Sequence, residues 1–248
     1  MRYFAITYPQ LMNQAIAAAW QDEALARLRR SHEFAEEMSD GLYRAQGVPF
    51  LCHLVRTASI VLAEGQPTAV VSAALLHAAY LLHAFEGSRR VRRRKRHRAE
   101  VRQAVGAEVE ELIWEYNRLP WYRADALQTH LAEHAHYPES MRRLLLLRLA
   151  NELEDRMDRA MAYTPRDRQR LRAVSDSLMP KLAEVLGHRE LAAELAEAQA
   201  AAASFEPPEA AILAHREGYE RRRRHLWERS PVGQRLRSWS RHLPGKSP

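Results

Sequence analysis

Two histidines in this chain sit where acid–base chemistry could be housed. His53 falls in GVPFLCHLVRTASI and His77 in AVVSAALLHAAY, each within an apolar, helix-forming stretch. Imidazole titrates near neutrality, so a buried pair of them suits proton transfer. His53, Arg56 and Thr57 are spaced i, i+3, i+4 and share one helical face, and His77 and Tyr80 are similarly close. Far downstream, LLLLRLANELEDRMD sets Arg148, Asn151, Asp155 and Asp158 along one side of a helix. Leu145, Leu149 and Leu153 recur at i+4 on another side and are expected in the core. Polar groups in such surroundings need partners, because burying them unpaired costs several kcal/mol. Arg56 and Arg148 therefore fit either anion binding or structural ion pairs with Asp155. Trp114, Tyr116, Trp121 and Tyr122 read as core aromatics, and His130, His134 and His136 as surface histidines.

The elements that must position these residues are helical. Few stretches alternate or are β-branched, and the nine glycines fall mostly at segment ends, so no strand is expected. Helices are expected from Asp22 to Ser39, from Pro49 to Gly65 and from Pro67 to about Ala84. The next, AEVRQAVGAEVEELIWEYNRL, is interrupted at Gly106 and stopped by Pro120. Further helices are expected over roughly Ala124–Ala135, Pro138–Ala162, Pro165–Leu186, His188–Ala203 and Pro208–Trp227. This divides the chain into a helical core at 1–162, a C-terminal helical extension at 163–228 packed on that core, and a flexible tail at 229–248.

Composition narrows the function classes. The 248 residues carry a net charge of +7, and much of it lies in RRVRRRKRHR, where eight of ten positions are Arg or Lys. The rest of the chain is near neutral. That run reads as a basic loop, 87–98, with Arg92, Arg93 and Arg94 as candidates for anion capture or partner docking. No aromatic residues interleave it, which argues against nucleic acid as the partner. One cysteine, Cys52, excludes an intrachain disulfide and a Cys-based zinc site. No run reaches the ~18 apolar residues of a membrane span, and the first residues lack a secretory pattern. A cytoplasmic setting without membrane contact is expected.

The order of these motifs resembles the HD-domain superfamily of helical metal-dependent phosphohydrolases, which includes the (p)ppGpp hydrolases. That pattern has a helix histidine, a His-Asp pair on the next helix and a distant Asp in a stretch like LADRLxN. Here His53, His77 and LANELED stand in that order, over roughly residues 30–160. Ala78 replaces the Asp of the pair, Asn151 replaces the distal Asp, and Leu81 and Leu82 stand where the hydrolases often carry acids. A closer resemblance is to an HD-like group with TYPQLMNQA, G-x-PFL-x-HLV-x-TASI, LLHA-x-Y and EVE-x-L-x-x-x-Y-x-x-LPW, in which HAxY replaces HD. Related HD-like proteins are implicated in sulfate elimination during aziridine formation.

The resemblance implies an HD-like helical bundle with additional C-terminal helices. Two imidazoles and an amide make a poor divalent site, so no metal and no other cofactor is expected. The reading is a metal-independent biosynthetic protein that eliminates or transfers a sulfate or phosphate ester group of a small anionic metabolite. His53 or His77 would be the base, Arg56 and Arg148 would neutralise the oxyanion, and Asn151 would orient the substrate. Tyr80, Glu152 and Asp155 complete the expected binding surface. Two alternatives remain open: an inactive binding or scaffold subunit in a homo- or hetero-oligomer, and an unconventional metal-dependent phosphohydrolase.

Overall fold

The computed structural model describes residues 2–82, 90–121, 123, 125–171 and 177–229. Among them the chain is all-α, and extended pairing is confined to an isolated bridge between Tyr43 and Pro49. The helices are α1 (Tyr8–Ala17), α2 (Asp22–Ser39), α3 (Phe50–Ala63), α4 (Thr68–Leu76), α5 (Ala79–Leu82), α6 (Arg90–Val105) and α7 (Ala107–Arg118). They continue with α8 (Ala126–Glu133), α9 (Glu139–Arg156), α10 (Pro165–Leu171), α11 (Met179–Val185), α12 (Arg189–Ala203) and α13 (Glu209–Arg229). Among the described residues no helix is long and apolar enough to cross a membrane.

The core is organised around α3, α4 and α9. In α4 every residue from Ala69 to Leu76 is buried, and in α9 every residue from Leu144 to Arg156 is buried. Leu145, Leu149 and Leu153 are fully enclosed, as their spacing predicts. One hydrophobic cluster joins them to Leu11 of α1, Leu28 of α2, Ile113 of α7, Leu182 of α11 and Leu195 of α12. Helices α11 and α12 thus share the core that holds the histidines.

Helix α1 was not expected from the sequence. Its first turn contains Pro9, and the Gln10 side chain accepts from the Ile6 and Thr7 amides at 3.0 and 3.1 Å, capping the start. The helix expected to run from Pro67 to about Ala84 is broken at His77. Asn117 of α7 donates its Nδ2 to the His77 carbonyl at 3.0 Å, and the Leu81 amide turns to Ala78 at 2.9 Å. The helix expected to run to Ala162 stops at Arg156, because Asp158 and Arg159 take left-handed φ values of 59° and 57°.

The basic run is also corrected. From Arg90 onward the expected loop 87–98 is helix α6, and residues 83–89 lie outside the described residues. Arginine and lysine are good helix formers once their charge is met. Arg98 and Arg102, one turn apart, converge on buried Glu110 of α7 at 2.5–2.9 Å, and the Arg98 guanidinium covers the Trp114 ring at 4.3 Å. The side chains of Arg92, Arg93 and Arg94, and the expected tail from 230 on, lie outside the described residues.

Candidate functional site

His53, in the first turn of α3, and His77, at the end of α4, are brought together in the interior. Their rings meet edge to face with centroids 5.2 Å apart, and their Nε2 atoms are 3.3 Å apart. The His77 tautomer follows from its neighbour: Nδ1 lies 2.7 Å from the Ala74 carbonyl, which can only accept, so Nδ1 carries the proton. The His77 Nε2 therefore presents a lone pair to His53. Burial first, then the charge of His53, holds His77 well below the ordinary imidazole range.

His53 is oriented by Glu154 of α9, whose carboxylate bonds Nδ1. Nη1 of Arg44, from the segment between α2 and α3, lies against the same ring, 2.8 Å from His53 Nδ1 and 2.6 Å from Nε2. Nη2 of the same arginine bonds Asp155. A carboxylate behind an imidazole fixes its tautomer and raises its basicity, the arrangement that general bases use. His53 is 1 % exposed.

Beside the pair, Tyr116 of α7 gathers the polar groups of α9. Its ring stands edge-on to His77 at 5.4 Å, and its hydroxyl accepts from Arg148 Nη1 and from Asn151 Nδ2, both at 2.9 Å. Asn151 Oδ1 is buried with no protein partner. Arg148 also donates to Glu152 at 2.9 Å, and its guanidinium lies over the Trp121 ring at 5.4 Å.

Glu152 is the hub of the ionic network. It receives Arg156 at 2.8 Å, Arg170 at 3.0 Å and the Trp121 indole at 3.1 Å. Burial pushes its carboxyl up, but Arg148, Arg156 and Arg170 outweigh that and hold it below the usual range. Asp155 is likewise held low: burial raises it, and Arg44, His53 and Arg170 prevail.

Of the residues singled out in the sequence, His53, His77, Arg148, Asn151, Glu152 and Asp155 meet in this cluster. Arg56 and Tyr80 do not bond within it. Arg56 bonds Asp158 at 2.5 Å towards the surface, since the left-handed turn after α9 carries Asp158 outward. Tyr80 donates to Glu110 at 2.6 Å, because the break after His77 redirects α5 towards α7. His130 is corrected too. It is buried, bonded to the Pro120 carbonyl and the Tyr137 hydroxyl at 3.0 Å each, and stacked on Trp121.

Six members were missed as site residues: Arg44, Glu154, Tyr116, Trp121, Arg156 and Arg170. Glu154 carried a signal, since it lies three residues after Asn151 on the same face. For a metal, ligand atoms of His53, Glu154 and Asp155 lie within 4.8 Å of one another. Arg44 already bonds two of the three, so a cation there would first have to displace a guanidinium. Ala78 supplies no ligand.

The geometry defines a helical protein with a carboxylate-backed histidine pair inside a cluster of arginines. Residues 36–123 match the family model of a domain of unknown function, DUF6817. That match runs from the end of α2 past Trp121, so it includes both histidines, Arg44 and Tyr116 but none of α9. No curated protein matches the chain.

Proposed function

We propose that this protein is an HD-like helical enzyme that removes a sulfate or phosphate ester group from a small anionic metabolite without a metal. The observation that carries the reading is the line Glu154–His53–His77, buried and flanked by Arg44 and Arg148. His53 accepts a proton from the substrate atom that becomes electron-rich. The electron pair freed by that proton forms a new bond to the carbon bearing the ester as the C–O bond breaks, and the C–O electron pair leaves on the sulfate or phosphate oxygen. His77 Nε2, 3.3 Å from His53 Nε2, can share that proton. Arg148 supplies positive charge to the departing group, and Asn151, whose Oδ1 has hydrogen-bonding capacity to spare, orients the substrate. A biosynthetic role fits such an elimination.

The test is release of inorganic sulfate or phosphate from a panel of sulfated and phosphorylated small molecules. His53→Ala should lower turnover by about 10²–10⁴-fold, the range of a general base. Glu154→Gln should lower it through a changed pH profile. Wild-type turnover in His53→Ala overturns the reading.

A second reading, a non-catalytic binding subunit, is favoured by the near-complete burial of both histidines. It predicts no turnover across the panel, together with a fall in melting temperature for His53→Ala.

A further inference from the structure

Asp155 is bonded on both oxygens by arginines that come from separate segments. Arg44, between α2 and α3, holds Oδ1, and Nη2 of Arg170, in α10, lies 3.4 Å from Oδ2. The burial runs in a gradient: the Asp155 side chain is 5 % exposed, Arg44 18 % and Arg170 28 %. The carboxylate therefore lies inside and the two guanidinium groups stand between it and solvent. The segments carrying the arginines are also tied to each other. Gln46, two residues beyond Arg44, donates to Asp167 at 2.8 Å, and Asp167 lies 3.5 Å from Arg170.

We infer that Arg44 and Arg170 form an oxyanion clamp, and that Asp155 holds it closed in the place of a substrate's sulfate or phosphate group. The inference rests on the anionic-substrate reading above and adds how that substrate is recognised. One carboxylate oxygen to each arginine is the pattern that two terminal oxygens of a tetrahedral ester present, and guanidinium forks suit such oxygens. Arg44 has a second contact, with the ring of His53, where Nη1 lies 2.8 Å from Nδ1 and 2.6 Å from Nε2. While it stays there, the guanidinium charge opposes protonation of the ring. An anion that draws Arg44 outward takes that positive charge away from the ring. The same side chain then recognises the charge and leaves the base freer to take a proton when an anionic group has arrived.

The experiment is calorimetric titration of the full chain with sodium sulfate and with inorganic phosphate at fixed ionic strength. Asp155→Asn removes the competitor shared by both arginines, while Glu152 keeps its 3.0 Å bond to Arg170, and should tighten binding by about tenfold, the scale of one charge-assisted hydrogen bond. Arg44→Gln and Arg170→Gln should each weaken it by about tenfold on the same grounds. A preference for sulfate or for phosphate identifies which ester the clamp serves. If Asp155→Asn fails to fold, as judged by its thermal melt, the two arginine variants carry the test. Unchanged affinity in both overturns the clamp. Clamp variants that shift sulfate binding, with no ester turned over by the wild type, keep the clamp and overturn the enzyme reading. Turnover with unmoved anion binding overturns the clamp alone.

Discussion

A single phenol hydroxyl, that of Tyr116, satisfies two donors from α9 and holds Arg148 and Asn151 at a fixed distance from each other. Both donors are buried, so neither can turn to bulk water when the acceptor goes. Tyr116→Phe keeps the ring against His77 and removes only the oxygen. It should destabilise the fold by about 1–3 kcal/mol, the cost of leaving buried donors without their acceptor. Urea unfolding measures this, and a change of a few tenths of a kcal/mol would mean that α9 holds these side chains without Tyr116. The α9 half of the site was legible because i, i+3, i+4 spacing in LANELED places its polar groups on shared faces. Arg44, Tyr116 and Arg170 were not, since each reaches the cluster from another element and local periodicity says nothing of where that element packs. Arg56 and Tyr80 show the converse. Both share a face with their histidine, yet a turn after α9 and a break after α4 set their partners.

At the scale of elements, existence was more legible than continuity. The α6–α7 pair illustrates this: the helix from Ala99 and its interruption at Gly106 were readable from sequence, whereas the first half of α6, up to Arg98, looked like a loop of repelling charges. The compensating Glu110 lies across the junction on α7, which periodicity alone could not assign to the arginines. That junction depends on Gly106, whose φ of 92° and ψ of 163° lie in a region essentially closed to residues with a Cβ. A Cβ built there meets nothing within 4 Å, so the obstacle is backbone conformation and not space. Gly106→Ala should cost about 1–3 kcal/mol in equilibrium unfolding. It should also loosen the Arg98 and Arg102 contacts with Glu110, seen as faster hydrogen exchange of α6 amides. A variant as stable as the wild type would mean that α6 and α7 can rejoin at a different angle.

At the scale of the whole molecule, the all-α class was legible from composition and periodicity, but the ionic interior was not, and it shapes how stability responds to pH. His32 and His77 are both held below their ordinary value of 6.5, chiefly by burial. In the native chain they stay neutral where the unfolded chain takes up protons. Stability must then fall as pH drops below about 6.5. The carboxylates act lower down. Glu64, Glu110 and Glu152 are held below 4.5 and Asp155 below 3.8, because neighbouring cations outweigh burial. Each contributes stability above its unfolded value and loses it as pH falls through its lower native value. Two descending limbs are expected in a melting series from pH 8 to pH 3, the first below about 6.5 and the second, steeper one below about 4.5. The histidine limb can be separated, because His32 packs against Tyr8 with centroids 4.6 Å apart, on α2 and away from the acidic network. His32→Gln should make the first limb shallower, leaving the share of His77, and keep the second in place. A melting temperature that rises between pH 7 and pH 5 would show the buried histidines to be charged in the native state, and the neutral His77 on which the proton-sharing pair depends would fall with it.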